Sequence, residues 1–462
     1  VRVIAALAAA ALTLAALPAA AADAALTQIQ KRVAVLEYRA RIQQDERDIE
    51  NLQRQYGYYL DRNMWDQIAD LFAPDATFEY AQRGVYVGKA HIRKALDLFG
   101  PQGPQPGHIG DHVILQVVAH VASDGKTAAV RFRDLTMGGD AGGQNRLREG
   151  TYENRLVKRN GVWMFSAVHY YLNMATDFDK GWGKDAQPIE AASRELAPDR
   201  PPTEVYQAYP KSHIPPFDFP NPVTGRPIQY SGTFGPDSRA RSAPPASSYI
   251  ANVKRPQTVA ELKARLARTR AEIDRVRGYD QIENLESAYG YYLDKNLWDQ
   301  LADLFAKDGS TMELAQRGSY VGQDHIRAFL HAFGGAEGPH LNQLGDHLNL
   351  QPVILVAPDG KTARVRARVL QMMGGAGANA SMSGAVYVNE FVNEDGVWKY
   401  KTDHAYNTWV ISYDGGWAKQ TRGTLPGPNK TVPPDRPPSL VFEAFPKTFD
   451  LPWNYKNPVT GK

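Results

Sequence analysis

The 462-residue sequence contains no cysteine, which excludes disulfides, thiolate nucleophiles and every Cys-ligated zinc or iron–sulfur centre. It also lacks a surplus of one charge: 53 Lys and Arg against 50 Asp and Glu leave +3, too little at this length for a dedicated nucleic-acid surface or a polybasic membrane face. Beyond the first two dozen residues no stretch has the ~20 apolar residues that cross a bilayer. Chemical signatures are missing too. There is no H-E-x-x-H, no P-loop, no G-x-G-x-x-G between strand and helix, and no G-x-S-x-G elbow, so neither metal nor nucleotide nor cofactor chemistry is visible. The Gly-Gly pairs at Gly138 and Gly374 have no helix behind them and read as hairpin loops over a pocket mouth. These absences leave a neutral or small molecule as the expected partner.

What is present is globular: 43% apolar and 22% charged residues, enough chain for two or three domains. Tyr is the most numerous aromatic, with 23 against 16 Phe and 8 Trp, and it can line an apolar pocket while keeping a polar tip. At the N-terminus Arg2 precedes an Ala/Leu run, then Pro18 and four alanines before Asp23. Residues 1–22 therefore read as a cleaved secretory leader. The expected product is exported, and periplasmic where the source has an outer membrane.

The chain is written twice. Residues 56–75 (YGYYLDRNMWDQIADLFAPD) and 289–308 (YGYYLDKNLWDQLADLFAKD) share sixteen of twenty positions at an offset of 233. AQRGVYVG recurs as AQRGSYVG, GDH at Gly110 and Gly345, PDRPP at Pro198 and Pro434, and NPVTG at Asn221 and Asn457. A period this long is a duplicated domain, not a solenoid. The expected organisation is a first domain over 26–183, a Pro-rich tail and linker over 184–258, a second domain over 259–417, and a Pro-rich tail over 418–462.

Each copy reads as α+β. A helix with a heptad-like stripe (Leu262, Leu266, Ile273 and Val276 in the second copy) is expected to pack on its sister. A second helical run through YGYYLD to Phe72 follows, then a strand over 76–82, a helix from Lys89, and four strands near 111–121, 127–137, 147–158 and 162–173. Ser123-Asp124-Gly125-Lys126 and Arg159-Asn160-Gly161 mark hairpin turns. Helices first and a meander afterwards give an antiparallel sheet wrapped around helices.

Polar residues interrupt the apolar faces. Helical spacing puts Asp61 in a stripe with Tyr58, Trp65, Ile68 and Phe72, and Asp294 recurs beside Tyr291 and Trp298. A buried carboxylate is costly unless paired, so the Asp either caps the next turn or points into a pocket. Period-2 alternation places His112, Ile114 and Gln116 on one strand face, with Val113, Leu115 and Val117 on the other; His347, Asn349 and Gln351 repeat the polar face. Tyr152 and Asn154 share a face, as do Tyr387 and Asn389. Such faces either meet water or line an enclosed cavity, where His is a natural proton shuttle.

The order YxxxLDxxxWDxLxxLFxxDxxxE, the segment from Gly84 to Ile92, a His-bearing strand and a D/N-G-V-W hairpin resemble the SnoaL-like branch of the nuclear transport factor 2-like superfamily, over roughly 47–180 and 280–415. The resemblance implies two tandem cone-shaped α+β barrels, each a curved sheet around helices with a deep apolar cavity. Within the superfamily the pattern is similar to scytalone dehydratase, a cofactor-free enzyme whose helix Asp, strand His and first-strand Tyr match Asp61, His112 and Tyr80. Leu60 stands where that enzyme has a Tyr, and its second catalytic His has no counterpart at Thr136, Met137 or Gly138. The implied activity is a cofactor-independent lyase on an aromatic or polyketide-like molecule, by dehydration or by carbon–carbon cleavage releasing an aldehyde; an isomerase or cyclase would use the same parts. The expected acid/base pair is Asp61 and His112, with Tyr58, Tyr80 and Tyr152 polarising oxygens and Asn154, Arg148 and Glu149 as auxiliaries. Asp294, His347, Tyr291 and Tyr387 are their second-copy equivalents. Leu314 replaces Tyr80, and Ser381, Ser383 and Gly384 face Arg146, Arg148 and Glu149, so the first copy keeps more ionisable groups. The alternatives are an exported, non-catalytic binder of an apolar aromatic ligand, and an assembly unit in which the copies form a pseudo-dimer within one chain, with association of chains left open.

Overall fold

Residues 19–60 contain no proline and no glycine before Gly57, and they form one uninterrupted helix, α1 (Ala19–Leu60). The two helical runs expected from the sequence are thus a single rod. The computed structural model describes residues 19–122, 124–219, 258–419 and 423–462, with 221, 223, 224, 226 and 228 besides. Most of the expected leader and of the joint between the copies lies outside the described residues.

After α1 the chain turns at Asn63, whose φ of 48° is left-handed and tolerated best by Asn and Gly. A short helix α2 (Trp65–Asp70) follows, then β1 (Phe72–Tyr80), β2 (Val85–Val87), α3 (Lys89–Leu96), β3 (His108–Val121), β4 (Thr127–Asp140), β5 (Asn145–Arg159) and β6 (Val162–Asp177). The second unit repeats this as α4 (Val259–Asp294), α5 (Trp298–Ala302), β7 (Thr311–Leu314), β8 (Ser319–Val321), α6 (Gln323–Gly334), β9 (Gln343–Val356), β10 (Thr362–Gly375), β11 (Ser381–Glu394) and β12 (Val397–Ser412). Thr258 and Glu261 close a reciprocal capping box at the start of α4. The turn at Asn63 overturns the expected common face. Trp65, Ile68 and Phe72 enter the first core, whereas Tyr58 and Asp61 face the second unit.

Each sheet has six strands, ordered β2-β1-β6-β5-β4-β3 and β8-β7-β12-β11-β10-β9. They are mixed sheets, because β1 runs parallel to β6 and β7 to β12, where an all-antiparallel sheet was expected. The hairpin turn at Arg159-Asn160-Gly161 holds: Asn160 and Gly161 adopt φ of 53° and 81°, as a two-residue hairpin demands, while Ser123 of the other expected turn lies outside the described residues. Gly138 and Gly139 belong to β4, not to a loop.

A bulge in β3 between Leu115 and Val118 centres on Gln116 at φ 52°, and an extra residue inverts the alternation beyond it. His112 and Ile114 share one face, as expected, and it is the inward one, with Val113 facing outward, but Val117 joins the inner core instead of the outer face. Gln351, at the matching position of β9, leaves the cone face. Its Oε1 accepts from the Ile114 N–H at 3.0 Å and its Nε2 donates to the Arg54 carbonyl at 2.8 Å.

The units are extensively docked. Ile29 and Val33 pack on Leu262 and Leu266, and the pairs Arg265–Glu37, Arg47–Asp280 and Arg54–Glu283 climb both helices together, so α1 and α4 run side by side in one direction. Farther along, Ile109, Val113 and Met137 bury against Leu370, Trp409 and Ile411 of the other sheet. Asn51 bridges the backbone N–H and carbonyl of Ile354 at 3.0 and 2.8 Å. The Pro-rich tails lie over both units, and the last one returns to the first: Trp453, Tyr455 and Val459 pack on its core. No described helix is long and apolar enough to cross a membrane.

Candidate active site

The first unit's cone holds a cavity of about 150 Å³. Tyr56, Trp65, Phe78, Tyr80, Phe99 and Tyr152 wall it, and His108, His112, Thr136, Arg146 and Arg148 supply its polar groups. The alternation of β3, β4 and β5 delivers these side chains, since one strand face of each turns inward.

At its centre His112 is held from two sides. Its backbone N–H donates to Asp61 Oδ1 at 2.7 Å. Its ring Nδ1 lies 3.2 Å from Asp134 Oδ2 and 3.2 Å from Thr136 Oγ1, and Thr136 donates to the same carboxylate oxygen at 3.1 Å. Asp134 is almost wholly buried. Burial alone would lower the His112 pKa, but the charge and hydrogen bond of Asp134, with Asp61 behind it, outweigh burial and the opposing Arg148 and leave the ring above its usual value. The phenols of Tyr56, Tyr80 and Tyr152 are pushed upward by burial, so they act as neutral donors. Tyr80 stacks on Tyr170 at 4.4 Å and Tyr152 on Phe132 at 4.5 Å, which fixes both rings.

The structure brings His112, Tyr80, Tyr152 and Arg148 together, and disperses the other sequence candidates. Asp61 does not line the cavity: its Oδ2 is paired with Arg368 of the second unit, in a smaller cleft between the units. It therefore is not hydrogen-bonded to the His112 ring as expected. Tyr58 is also at this junction, because two helical residues beyond Tyr56 is nearly the opposite side of the helix. Its ring lies 5.0 and 5.1 Å from the Arg366 and Arg368 guanidinium carbons and its hydroxyl donates to the Gln351 carbonyl. Glu149 is on the outer face of β5, paired with Arg133 at 2.6 Å. Asn154 is a structural tie: its Nδ2 donates to Gln53 Oε1 at 3.2 Å and its Oδ1 accepts from the His169 N–H.

The second unit is equipped differently. His347 Nδ1 lies 2.8 Å from Asp294 Oδ1, and its backbone N–H donates to the same atom at 2.7 Å, so here the expected Asp–His pair does form. Arg133, the counterpart of Arg368, is turned to Glu149, and Val369 stands at the Asp134 position. Tyr291 is 73% exposed. Tyr387 is buried against Tyr289, while Asn389 donates to Glu286 Oε1 at 2.8 Å. Glu286 and Asp403 replace Gln53 and Val168 of the first unit. Burial pushes Glu286 up to about 7 and Asp403 well above the carboxylate range, even though Tyr289 donates to Asp403 at 2.9 Å.

Sequence reasoning missed Asp134 and Tyr56. A signal for Asp134 existed: Phe132, Asp134 and Thr136 alternate on one strand face, a carboxylate inside an apolar row. Among the described residues, Asp299, His331 and Glu337 stand close enough to share a cation, but they lie outside this cavity and Asp299 is already paired with Arg327 at 2.9 Å.

A family model described as SnoaL-like domain matches twice, at residues 41–169 and 274–404, together more than half of the chain. The chain belongs to the SnoaL-like domain family. The two matched segments fall within the two helix-and-sheet units. No curated protein matches the sequence. Similar solved structures include one provisionally described as scytalone dehydratase from Novosphingobium aromaticivorans, 24% identical over 33% of this chain and 91% of that one, with a TM-score of 0.27. Another is the hexachlorocyclohexane dehydrochlorinase LinA-type3 from Novosphingobium barchaimii, 18% identical over 30% of this chain and 93% of that one, also at 0.27.

Proposed function

We propose that the protein is a cofactor-independent lyase acting on an aromatic or polyketide-like small molecule in the cavity of the first SnoaL-like unit. The observation that carries this reading is the His112 ring, anchored through Nδ1 to a buried Asp134 inside a cavity walled by phenols. Anchoring at Nδ1 leaves Nε2 for the ligand, and Asp134 stabilises the imidazolium that forms when Nε2 takes a proton.

Two reactions fit. In a dehydration, Nε2 removes a proton from carbon beside a carbonyl, and Tyr80 and Tyr152 donate to the enolate oxygen. The carbon–oxygen bond to the β-hydroxyl then breaks, and the departing hydroxide takes the proton back from His112 as water. In a cleavage, Nε2 takes the proton of that hydroxyl, the adjacent carbon–carbon bond breaks as the aldehyde carbonyl forms, and the resulting carbanion is protonated by His112. Phenol donors aimed at a developing oxyanion are typically worth ~10²–10³ in rate. Asp61 positions the backbone of His112 and is not the second acid/base group in this scheme.

The test is turnover of a panel of aromatic β-hydroxy carbonyl compounds in the presence of a chelator. Wild type should convert at least one member, His112→Ala should abolish that conversion, and Asp134→Asn should reduce it at least tenfold. Conversion that survives His112→Ala would refute the scheme. A second reading, an exported binder of an aromatic ligand, is supported by the engagement of Asp61 with Arg368, which leaves fewer proton-transfer groups in the cavity. It gains if ligands bind and none is converted. Export itself rests on the Ala/Leu run before Asp23 and would be checked by the N-terminus of the protein recovered from its native compartment.

A further inference from the structure

Four basic side chains line the cavity of the first unit, and three have a carboxylate of their own. His108 Nδ1 lies 2.8 Å from Asp140, His112 is held by Asp134, and Arg148 pairs with Glu190 at 2.9 Å. The fourth, Arg146, has no carboxylate within 4.0 Å among the described residues, although it is only partly exposed. Arg146 is on β5, and its cross-strand neighbours are Gly138 on β4, which has no side chain, and Asp177 on β6. Asp177 is engaged elsewhere, with Oδ1 accepting from the backbone N–H groups of Asp179 and Lys180 at 2.9 and 3.3 Å. The second unit has Ser381 and Ser383 where the first has Arg146 and Arg148, so neither charge is required by the fold.

A guanidinium on a partly desolvated wall without a counter-ion is costly, and its planar fork matches a carboxylate through two parallel hydrogen bonds. The remaining wall is mostly apolar, with Leu60, Leu96 and Ile109 beside the aromatic rings. A volume of about 150 Å³ is that of a cavity known to take one benzene ring. We infer that the ligand of this cavity is a single-ring aromatic carboxylate, with its ring among Trp65, Tyr80 and Phe99 and its carboxylate on Arg146. This deepens the proposed function by naming a substrate class and rests on that reading only for the location of the site. It also revises the neutral partner that the overall charge suggested.

The experiment is equilibrium binding, followed by titration calorimetry and by intrinsic tryptophan fluorescence, with 4-hydroxybenzoate and its methyl ester as probes. Wild type should bind the acid at least tenfold more tightly than the ester, and the preference should shrink with added salt. In Arg146→Gln the acid should weaken at least tenfold while the ester is unchanged, which also shows the cavity to be intact; Arg146→Lys should recover part of the loss. Equal binding of acid and ester by wild type, an acid preference that survives Arg146→Gln, or no binding of either probe would each overturn the inference. Because no turnover is read, failure of the lyase scheme leaves a positive result standing, and failure here leaves a lyase on a neutral ligand.

Discussion

Arg368 of the second unit reaches across the junction and forms an ion pair with Asp61 of the first, and the same guanidinium also pairs with Asp111. Its side chain is only 2% exposed. The arrangement explains why the two units differ in chemistry. Where an arginine takes the helix Asp away, the strand His relies on Asp134; where no arginine does, Asp294 keeps His347.

Removing Arg368 should be expensive. Arg368→Met would leave Asp61 and Asp111 buried without a counter-charge, a change that typically costs ~3–5 kcal/mol. Replacing the whole set (Asp61→Asn, Asp111→Asn, Arg368→Met) should recover most of that loss. Denaturant unfolding measures both, and a loss below about 1 kcal/mol in the single variant would mean that the triad does not hold the units together.

The His112 ring should titrate above its ordinary value. As its pKa is raised in the folded state, the stabilisation from its pairing is fully present below about pH 6.5 and is lost as pH rises through the raised value. In the proposed scheme catalysis runs the other way, because the base must be neutral: kcat/KM should climb with pH through that same value. Asp134→Asn removes the main opponent of burial, so the limb of the profile should move to lower pH. An unmoved limb would separate His112 from the observed titration.

The buried acids of the second unit give the opposite kind of pH dependence. Glu286 is held up to about 7 by burial, from a usual 4.5. Between those values the folded state binds more protons than the unfolded one, so stability falls as pH rises. Glu286→Gln, which installs the residue that the first unit has at position 53, should therefore stabilise by about 3 kcal/mol at pH 8 and by little at pH 5. Thermal unfolding at the two pH values reads this, and an equal effect at both would exclude it.

Tyr80 stacks on Tyr170 and lines the cavity, where the proposed scheme has it donate to the enolate oxygen. Tyr80→Phe keeps the stack and loses the donor, so kcat should drop ~10²-fold with the melting temperature nearly unchanged. A loss of stability without a loss of kcat would make Tyr80 a packing residue only.

Much of this was legible in the sequence. The duplication and the hairpin turn at Asn160-Gly161 follow from repeats and turn residues, and alternation puts His112 on one strand face and Tyr152 on another without saying whether those faces meet water or a cavity; Tyr80 is marked only by the family resemblance and Arg148 by the difference between the copies. Three features defeated that reasoning for separate physical reasons. The left-handed turn at Asn63 breaks a helical stripe that spacing alone extends to Phe72. The bulge at Gln116 inverts an alternation that counts every residue equally. The pairing of Asp61 with Arg368 depends on how two units dock, and residues 307 positions apart leave no local trace. Asp134 is different: alternation makes its face readable, but it is not part of the repeat, because the second copy has Val369 there.

The return of the final tail to the first unit has a consequence for biosynthesis. Trp453 lies 5.4 Å from Tyr59, and Asn457 donates to the Gln67 carbonyl at 3.0 Å. At ~5–20 residues per second on the ribosome, these side chains emerge on the order of tens of seconds after β6 is complete. During that interval the outer face of Tyr59 has no aromatic cover from its own chain. The first unit is thus translated first and covered last.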